Sequence, residues 1–247
     1  MARRFAPLLT LIAWALVWEV VAQSVEISVL PPLSSVLVGV TEVVQLKSFR
    51  LALLETGRAF GIGMALSVVV GVPLGVLMGV FRPADRLLNV WANVFISAPL
   101  TAVVPALMPL LGIGQTTVIA TVFLFAVWVI VLDAREGVRK VNPSLIDMAR
   151  THHASRLAIF TKILVPGALP EVLTGIRLAV VRGVKGVIIG QIVIALVGFG
   201  ALFDLYLQTF SMERFWALVI IIFVLAFLLV EGVGLIERRV AFYAKSR

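Results

Sequence analysis

The apolar positions of this chain fall in long continuous runs separated by short polar or proline- and glycine-rich stretches. A half-buried strand alternates every second residue, and an amphipathic helix keeps one polar face; these runs do neither. They approach the roughly 20 residues that a helix needs to cross a hydrocarbon core. In lipid only helices and closed barrels satisfy their own backbone, and without alternation the pattern predicts helices. The expected architecture is all-α and polytopic, with six transmembrane helices at about 5–21, 51–80, 87–111, 116–132, 170–196 and 215–236. The first run also has features of a secretory signal, a basic start and small residues near Ala22, but Glu19 sits poorly in a signal's apolar stretch.

The breaks between runs carry information. Leu30-Pro31-Pro32 interrupts any helix, and 34–46 is predicted to be a short interfacial helix. In the second span Gly71, Gly75 and Gly79 recur every four residues, the spacing that lets helices approach closely in lipid. Pro99, Pro105 and Pro109 must break or kink the third span. Carbonyls freed by such a break are tolerated only against protein or a water-filled cavity. Gly198-Phe199-Gly200 is predicted to be a turn, followed by a polar connector to Arg214.

Composition agrees with a membrane location. Hydrophobic residues make up 61% of the chain and the mean hydropathy is +1.12, above the roughly 45–50% apolar content of soluble domains. The net charge of +8 would suggest nucleic acid in a soluble protein; here the charge is better read as a topology signal, with no nucleic-acid partner. With six spans, fourteen Lys and Arg lie on the side of the two termini and three (Lys47, Arg50, Arg214) on the other; Arg58, Arg177, Arg182 and Lys185 lie within spans. The positive-inside rule then places both termini, and the polar segment 133–166, in the cytoplasm. The absence of cysteine excludes disulfides and thiolate metal sites. His152 and His153 are the two histidines; being adjacent, they do not share a helix face, and no metal site is expected.

The segment 141–166 is longer than a plain loop should be. It fits two short amphipathic helices. The first starts at Asn142-Pro143-Ser144 and carries Leu145, Ile146, Met148 and Ala149. The second runs from Ser155 through Leu157, Ile159, Phe160, Ile163 and Leu164, and Pro166 is expected to end it. Asp133 and Glu136, at the start of the segment, read as a solvated face.

The spacing inside this segment resembles the EAA loop of ABC importer permeases, E-A-A-x3-G-x9-I-x-L-P. Asp147, Met148 and Ala149 stand for E-A-A, His153 for the glycine, and Ile163, Val165 and Pro166 for I-x-L-P, so the spacing is kept while four of the seven residues differ. Leu30-Pro31-Pro32, Gly112-Ile113-Gly114, Ala149-Arg150, Ala154-Ser155, Pro166 to Pro170, Thr174-Gly175-Ile176-Arg177 and Gly198-Phe199-Gly200 extend the likeness to the nitrate/sulfonate/taurine-type branch with its MetI-like fold, over about 30–240.

The resemblance implies a single permease domain, 1–247 with its core at 50–240, in the bacterial inner membrane. It implies a pore built with a second permease copy, as a homodimer or with a related partner. The loop between spans four and five would be a coupling helix docking on a cytoplasmic ABC ATPase dimer, which binds ATP and Mg. Coupling residues would be Asp147, Met148, Ala149, His153, Ala154, Ser155 and Pro166. A periplasmic or lipid-anchored binding protein would deliver the substrate. No G-x-x-x-x-G-K-[ST] motif occurs in this chain, so the phosphates must be cradled elsewhere. His153 departs from the glycine expected at a sharp turn; histidine tolerates φ > 0 better than bulky residues, though less well than glycine.

Arg182 and Lys185 lie about 18–22 Å along the fifth span from Pro170, near mid-membrane, and at i, i+3 they share a face. Buried intramembrane charges usually face a polar cavity, so the two are expected to line a pathway for an anion such as an oxyanion, sulfonate or organic acid. The competing reading is structural pairing with Glu55, Glu171 or Glu231. Gln191 stands where relatives often carry an acid, and Ser97 and Pro99 resemble the family's kinked segment near the pore. Arg177 is either an interfacial anchor or part of a gate. The rival function is an ion- or proton-coupled secondary transporter using Arg182, Lys185 and Glu55. A membrane-embedded enzyme would need a histidine or acidic cluster that the spans lack.

Overall fold

The computed structural model of the chain describes residues 2–25 and 28–245, with side chains for 9–24, 28–235 and 237. The side chains of Arg3, Arg4, Arg238, Arg239 and Lys245, and Arg247 altogether, contribute to the charge bias and lie outside the described residues. The described secondary structure is helical throughout: α1 (Ala2–Val25), α2 (Leu33–Gln45), α3 (Lys47–Val80), α4 (Arg82–Ser97), a 3₁₀ turn (Leu100–Ala102), α5 (Val104–Leu111), α6 (Gln115–Arg139), α7 (Pro143–Thr151), α8 (Arg156–Ile159), a π turn (Phe160–Leu164), α9 (Val165–Ile194), α10 (Gly198–Gln208) and α11 (Met212–Lys245).

The centre is α6, with α3 and α9 packed on two of its sides. The glycines of α3 set the first contact. A Cβ on Gly63 would sit 2.6 Å from Val122 Cβ, one on Gly71 3.0 Å from Ile130 Cβ, and one on Gly79 2.6 Å from Val138 Cβ. These registers increase together, so α3 and α6 run parallel at close range. Small residues permit that approach in lipid, where dispersion and not water exclusion drives packing. Gly186 and Gly175 of α9 meet Phe125 and Asp133 of α6, so that pair is antiparallel.

This geometry fixes the path of the segment between α3 and α6. Gly79 lies at the Val138 end of α6, whereas Gln115 Nε2 donates to the Glu55 carbonyl at the other end. The chain from 81 to 114 therefore crosses the whole bundle. It does so as α4 plus the segment Leu100–Leu111, bent by 84°. Ala98 is extended at the break, and Pro99, at φ −73° and ψ 80°, centres a tight turn in which Leu100 N donates to the Ala98 carbonyl at 2.8 Å; the proline itself cannot supply an amide hydrogen. The helices α3 and α6 and the stretch Met212–Leu235 are each long and apolar enough to cross a membrane, as are α4–α5 and α8–α10 if each bent pair is one span.

Several expectations are corrected. Residues 133–139 continue α6, so its helix outlasts its apolar run by almost two turns. Asp133 is not on a solvated face: it packs against Gly175, and its Oδ2 is shielded without a hydrogen-bond partner among the described residues. Pro166 does not end the second short helix. A π turn at Phe160–Leu164 absorbs the proline, which sits in the first turn of α9, and the helix runs on to Ile194. The expected polar connector after Gly198 is α10, whose Phe199, Leu202, Phe203 and Tyr206 are buried against α3 and α11.

At the end of the bundle opposite α7, Trp18 Nε1 donates to the Pro31 carbonyl at 3.1 Å and Trp216 Nε1 to the Val29 carbonyl at 2.9 Å. The two indoles meet edge to face with centroids 5.2 Å apart. Glu19 accepts from Ser34 N and Oγ at 3.1 and 2.8 Å, satisfying a free amide in the first turn of α2. The Leu30-Pro31-Pro32 break is thus clamped between α1 and α11.

Candidate coupling loop and substrate pathway

The loop between α6 and α9 is tied down at its root and open at its tip. Lys140 Nζ reaches Glu171 Oε1 at 2.7 Å, and that hydrogen bond holds the ammonium above its ordinary value. Val141 is buried against Gly167. Asn142 caps α7, its Oδ1 accepting from Ser144 N at 3.0 Å, and Pro143 fits the first helical position because its missing amide has no partner there. Beyond the root α7 buries nothing. Leu145, Met148 and Leu157 are 45%, 55% and 71% exposed, an apolar set left uncovered among the described residues. Asp147 and Arg150 pair at 3.3 Å on the exposed surface.

The turn after α7 explains the spacing of the motif. His153 has φ 55°. Its amide donates to the Arg150 carbonyl, and the Ala154 amide donates to the Ala149 carbonyl, both at 2.9 Å. This paired closure is a Schellman motif with the left-handed position at His153. Glycine is the residue of choice there, which is why the family pattern has one. Ser155 then caps α8, its Oγ accepting from Ala158 N at 3.2 Å. Ala149, His153, Ala154 and Ser155 thus form one turn, with Asp147 and Met148 on the helix it closes, whereas Pro166 lies beyond the π turn at the root of α9.

Charges around the loop root lock the same end of the bundle. Asp85, in the first turn of α4, binds Arg135 through Nε, and its Oδ2 lies 2.5 Å from Arg139 Nη2. Arg177 Nη1 meets Glu237 Oε2 at 3.1 Å, and Thr174 Oγ1 donates to Glu237 Oε1 at 2.9 Å, joining α9 to α11. The sequence reading of Arg177 had no partner for it. Glu237 follows a long apolar run in the last helix, and only the antiparallel register of α9 and α11 brings it alongside.

At the opposite end Gln191 is buried. Its Oε1 accepts from Thr56 Oγ1 at 3.0 Å and from Phe199 N at 3.2 Å, while Glu55 Oε2 accepts from Gly198 N at 2.8 Å. Gln191, Thr56 and Glu55 together cap the start of α10, with Gly198 at φ 59° so close to Gln191 that no side chain fits. Arg182 and Lys185 lie on the face of α9 turned away from this core; Arg182 is half-buried and Lys185 exposed. Lys185 borders an apolar groove of about 520 Å³ between α9 and α11, lined by Val184, Ile188, Phe223 and Phe227 among others. Neither residue makes an ion pair among the described residues, and Glu55 and Glu171 are committed to Gly198 and Lys140. Ser97 and Pro99 are exposed at the break between α4 and α5. The structure therefore groups Arg182 with Lys185, and Ser97 with Pro99, while Gln191 belongs to a separate, closed cluster.

Comparison with known proteins places this architecture. Residues 71–242 match the family model described as binding-protein-dependent transport system inner membrane component. The chain is 30% identical over 128 residues to the taurine transport system permease protein TauC of Escherichia coli K12, covering 52% of this chain and 46% of that protein. It is 31% identical over 129 residues to the bicarbonate transport system permease protein CmpB of Synechocystis, covering 51% and 46%. The chain spans about half the length of the curated relatives it matches. In three dimensions it superposes with a TM-score of 0.70, at 22% identity, on a chain of the MetNI methionine ABC transporter in an inward-facing conformation, covering 78% of this chain and 96% of that one. The fold is MetI-like.

Proposed function

The chain belongs to the family of binding-protein-dependent transport system inner membrane components, and on that premise we propose that it is the permease subunit of an ATP-driven importer for a small anion. In this reading all of 1–247 is one permease domain with its core at 50–240. It crosses the bacterial inner membrane six times: α1, α3, α4–α5, α6, α9 with α10, and α11. Both termini and the loop 141–166 face the cytoplasm. A second copy completes the pore, and a periplasmic or lipid-anchored protein supplies substrate from outside.

The observation that carries the proposal is the α7 tip. A short helix with exposed Leu145 and Met148, held by a rooted loop and closed by the His153 turn, is built to present an apolar knob to another protein. A cytoplasmic ATPase dimer, which would bind ATP and Mg itself, is the partner of that knob. Nucleotide-driven closure of the dimer would drag the two α7 helices together, and the continuous helix from Arg156 to Ile194 would carry the movement into the membrane as a rigid-body switch. Named relatives transport taurine and bicarbonate, both small solutes with an anionic group. Arg182 and Lys185, charged and unpaired among the described residues in mid-span, support the anionic class here. The secondary-transporter reading needed Glu55 as a coupling acid, and Glu55 is engaged at the start of α10.

The test is reconstitution of the chain with a candidate ABC ATPase and binding protein, sought among the genes beside it. Substrate-loaded binding protein is expected to stimulate ATP hydrolysis and ATP-dependent uptake in proteoliposomes. Uptake driven by an ion gradient without ATP would overturn the proposal.

A further inference from the structure

The helix α4 differs from the other long helices in being far less apolar while strongly two-sided. Arg86, Asn89, Asn93 and Ser97 recur at steps of three, four and four, which places them on one face. Thr101 lies past the break, in the 3₁₀ turn. Another face is covered: Ala92 is buried, Phe95 stacks on Trp128 of α6 at 5.0 Å, and Leu88 packs against the same region. Leu87, Val90, Trp91 and Val94 form a third, exposed apolar face suited to lipid. The polar stripe is open: Arg86, Asn93, Ser97 and Thr101 are exposed and Asn89 is half-buried. Asn93 Nδ2 donates to the Asn89 carbonyl of its own helix at 2.6 Å, and the two carboxamides reach no other helix among the described residues.

A row of carboxamides along a membrane-crossing helix cannot be left against hydrocarbon, where each polar group without a partner costs several kcal/mol. The stripe needs water or a polar partner. Its position points to water. Around α6, Val122, Ile130 and Val138 face α3, Trp128 and Arg135 face α4, and Phe125 and Asp133 face α9. With α4 and α9 both antiparallel to α6, the handedness of the helices turns the Asn89–Asn93 stripe and the Arg182 edge of α9 towards the flank between them. A symmetric contact along the stripe would instead set it against its own copy and bring two Arg86 guanidiniums together.

We infer that Asn89, Asn93 and Ser97 line the aqueous path through the permease, and that the carboxamide N–H groups donate to the anionic group of the passing substrate. This rests on the permease reading above and adds residues to it. The opening and breaking of bonds is not involved; the amides replace part of the anion's hydration, with Arg86 and Arg182 supplying the field that favours negative charge.

The chain contains no cysteine, so single cysteines report cleanly. The full chain, in membrane vesicles with its ATPase, is treated with sulfonatoethyl methanethiosulfonate, a membrane-impermeant anion. Only a hydrated thiol forms the reactive thiolate, so Asn89→Cys and Asn93→Cys are expected to react about tenfold or more faster than Val90→Cys and Val94→Cys. The conservative Ser97→Cys reads the same stripe if an asparagine variant fails to reach the membrane. The anionic reagent should outpace its trimethylammonium analogue at Asn93→Cys once each rate is normalised to a free thiol. Labelling at the stripe no faster than at Val94→Cys overturns the inference, as does a disulfide between copies at Asn93→Cys with the site closed to reagent. A reversed charge preference overturns the anion assignment. Labelling does not depend on ATP turnover, so failure of the importer reading would show separately, as absent ATPase association with the labelling pattern intact.

Discussion

Replacing His153 by glycine tests the physical account of the coupling loop. His153 adopts φ 55° to close the Schellman turn. For a residue with a Cβ the left-handed conformation costs about 1–2 kcal/mol. Glycine removes that cost but adds about 0.4–1 kcal/mol through its greater freedom in the open loop. The net expectation for His153→Gly is a turn tighter by about 0.5–1 kcal/mol, or roughly two- to fivefold in its opening equilibrium. His153→Val should move the other way, because a β-branched residue is a genuine outlier at positive φ. Hydrogen–deuterium exchange of peptides covering 149–155, in proteoliposomes, reads the two amides of His153 and Ala154 that hold the turn. Protection is expected to rise in the glycine variant and fall in the valine variant. Equal exchange in all three proteins would refute the claim that backbone strain at 153 governs this turn.

Four further outcomes follow from the packing and the charges. Gly71→Leu forces a side chain into Ile130 at the α3–α6 contact and should cost about 1–3 kcal/mol or more by overpacking, whereas Gly61→Ala, inside α3 with open space around it, should leave the melting temperature of the detergent-solubilised protein no lower and raise it slightly. Gln191→Leu removes the acceptor of the Thr56 hydroxyl and the shorter of the two acceptors of the Phe199 amide, leaving it Thr56 Oγ1 at 3.4 Å; a loss of about 1–3 kcal/mol should appear in the same thermal assay. The double variant Arg177→Ala with Glu237→Ala should lose less stability than the sum of the two single losses, with a coupling of about 0.5–1 kcal/mol for this partly exposed pair. Arg182→Ala with Lys185→Ala is expected to abolish uptake of the anion while leaving ATPase association intact, measured by transport and co-purification side by side.

The sequence made the all-helical class, the runs that become α3, α6 and α11, and the glycine contact of α3 readable, because continuous apolar runs and four-residue spacing act locally. The left-handed position at 153 was readable from motif spacing alone, even with histidine in place of glycine. What depended on register between distant segments was not. Glu237 as partner of Arg177, the burial of Asp133 against Gly175 and the engagement of Gln191 with Thr56 all arise where antiparallel helices meet. Pro166 misled because proline breaks a regular α-helix, and the π turn that accommodates it leaves no signature in the residues themselves. The run after Gly198 looked like a connector because its polar residues Asp204, Gln208 and Thr209 obscured an apolar face that only packing on Phe49 and Leu218 reveals.

The central claim is that the α7 tip couples this chain to a separate ATPase, and deleting residues 145–156 addresses it most directly. The intact chain and the deletion variant are each co-expressed with a candidate ABC ATPase, and the amount of ATPase recovered with each from solubilised membranes is measured. The account predicts stoichiometric recovery with the intact chain and none with the deletion, while the variant still inserts in the membrane. Equal recovery of the ATPase with the deletion variant would contradict it.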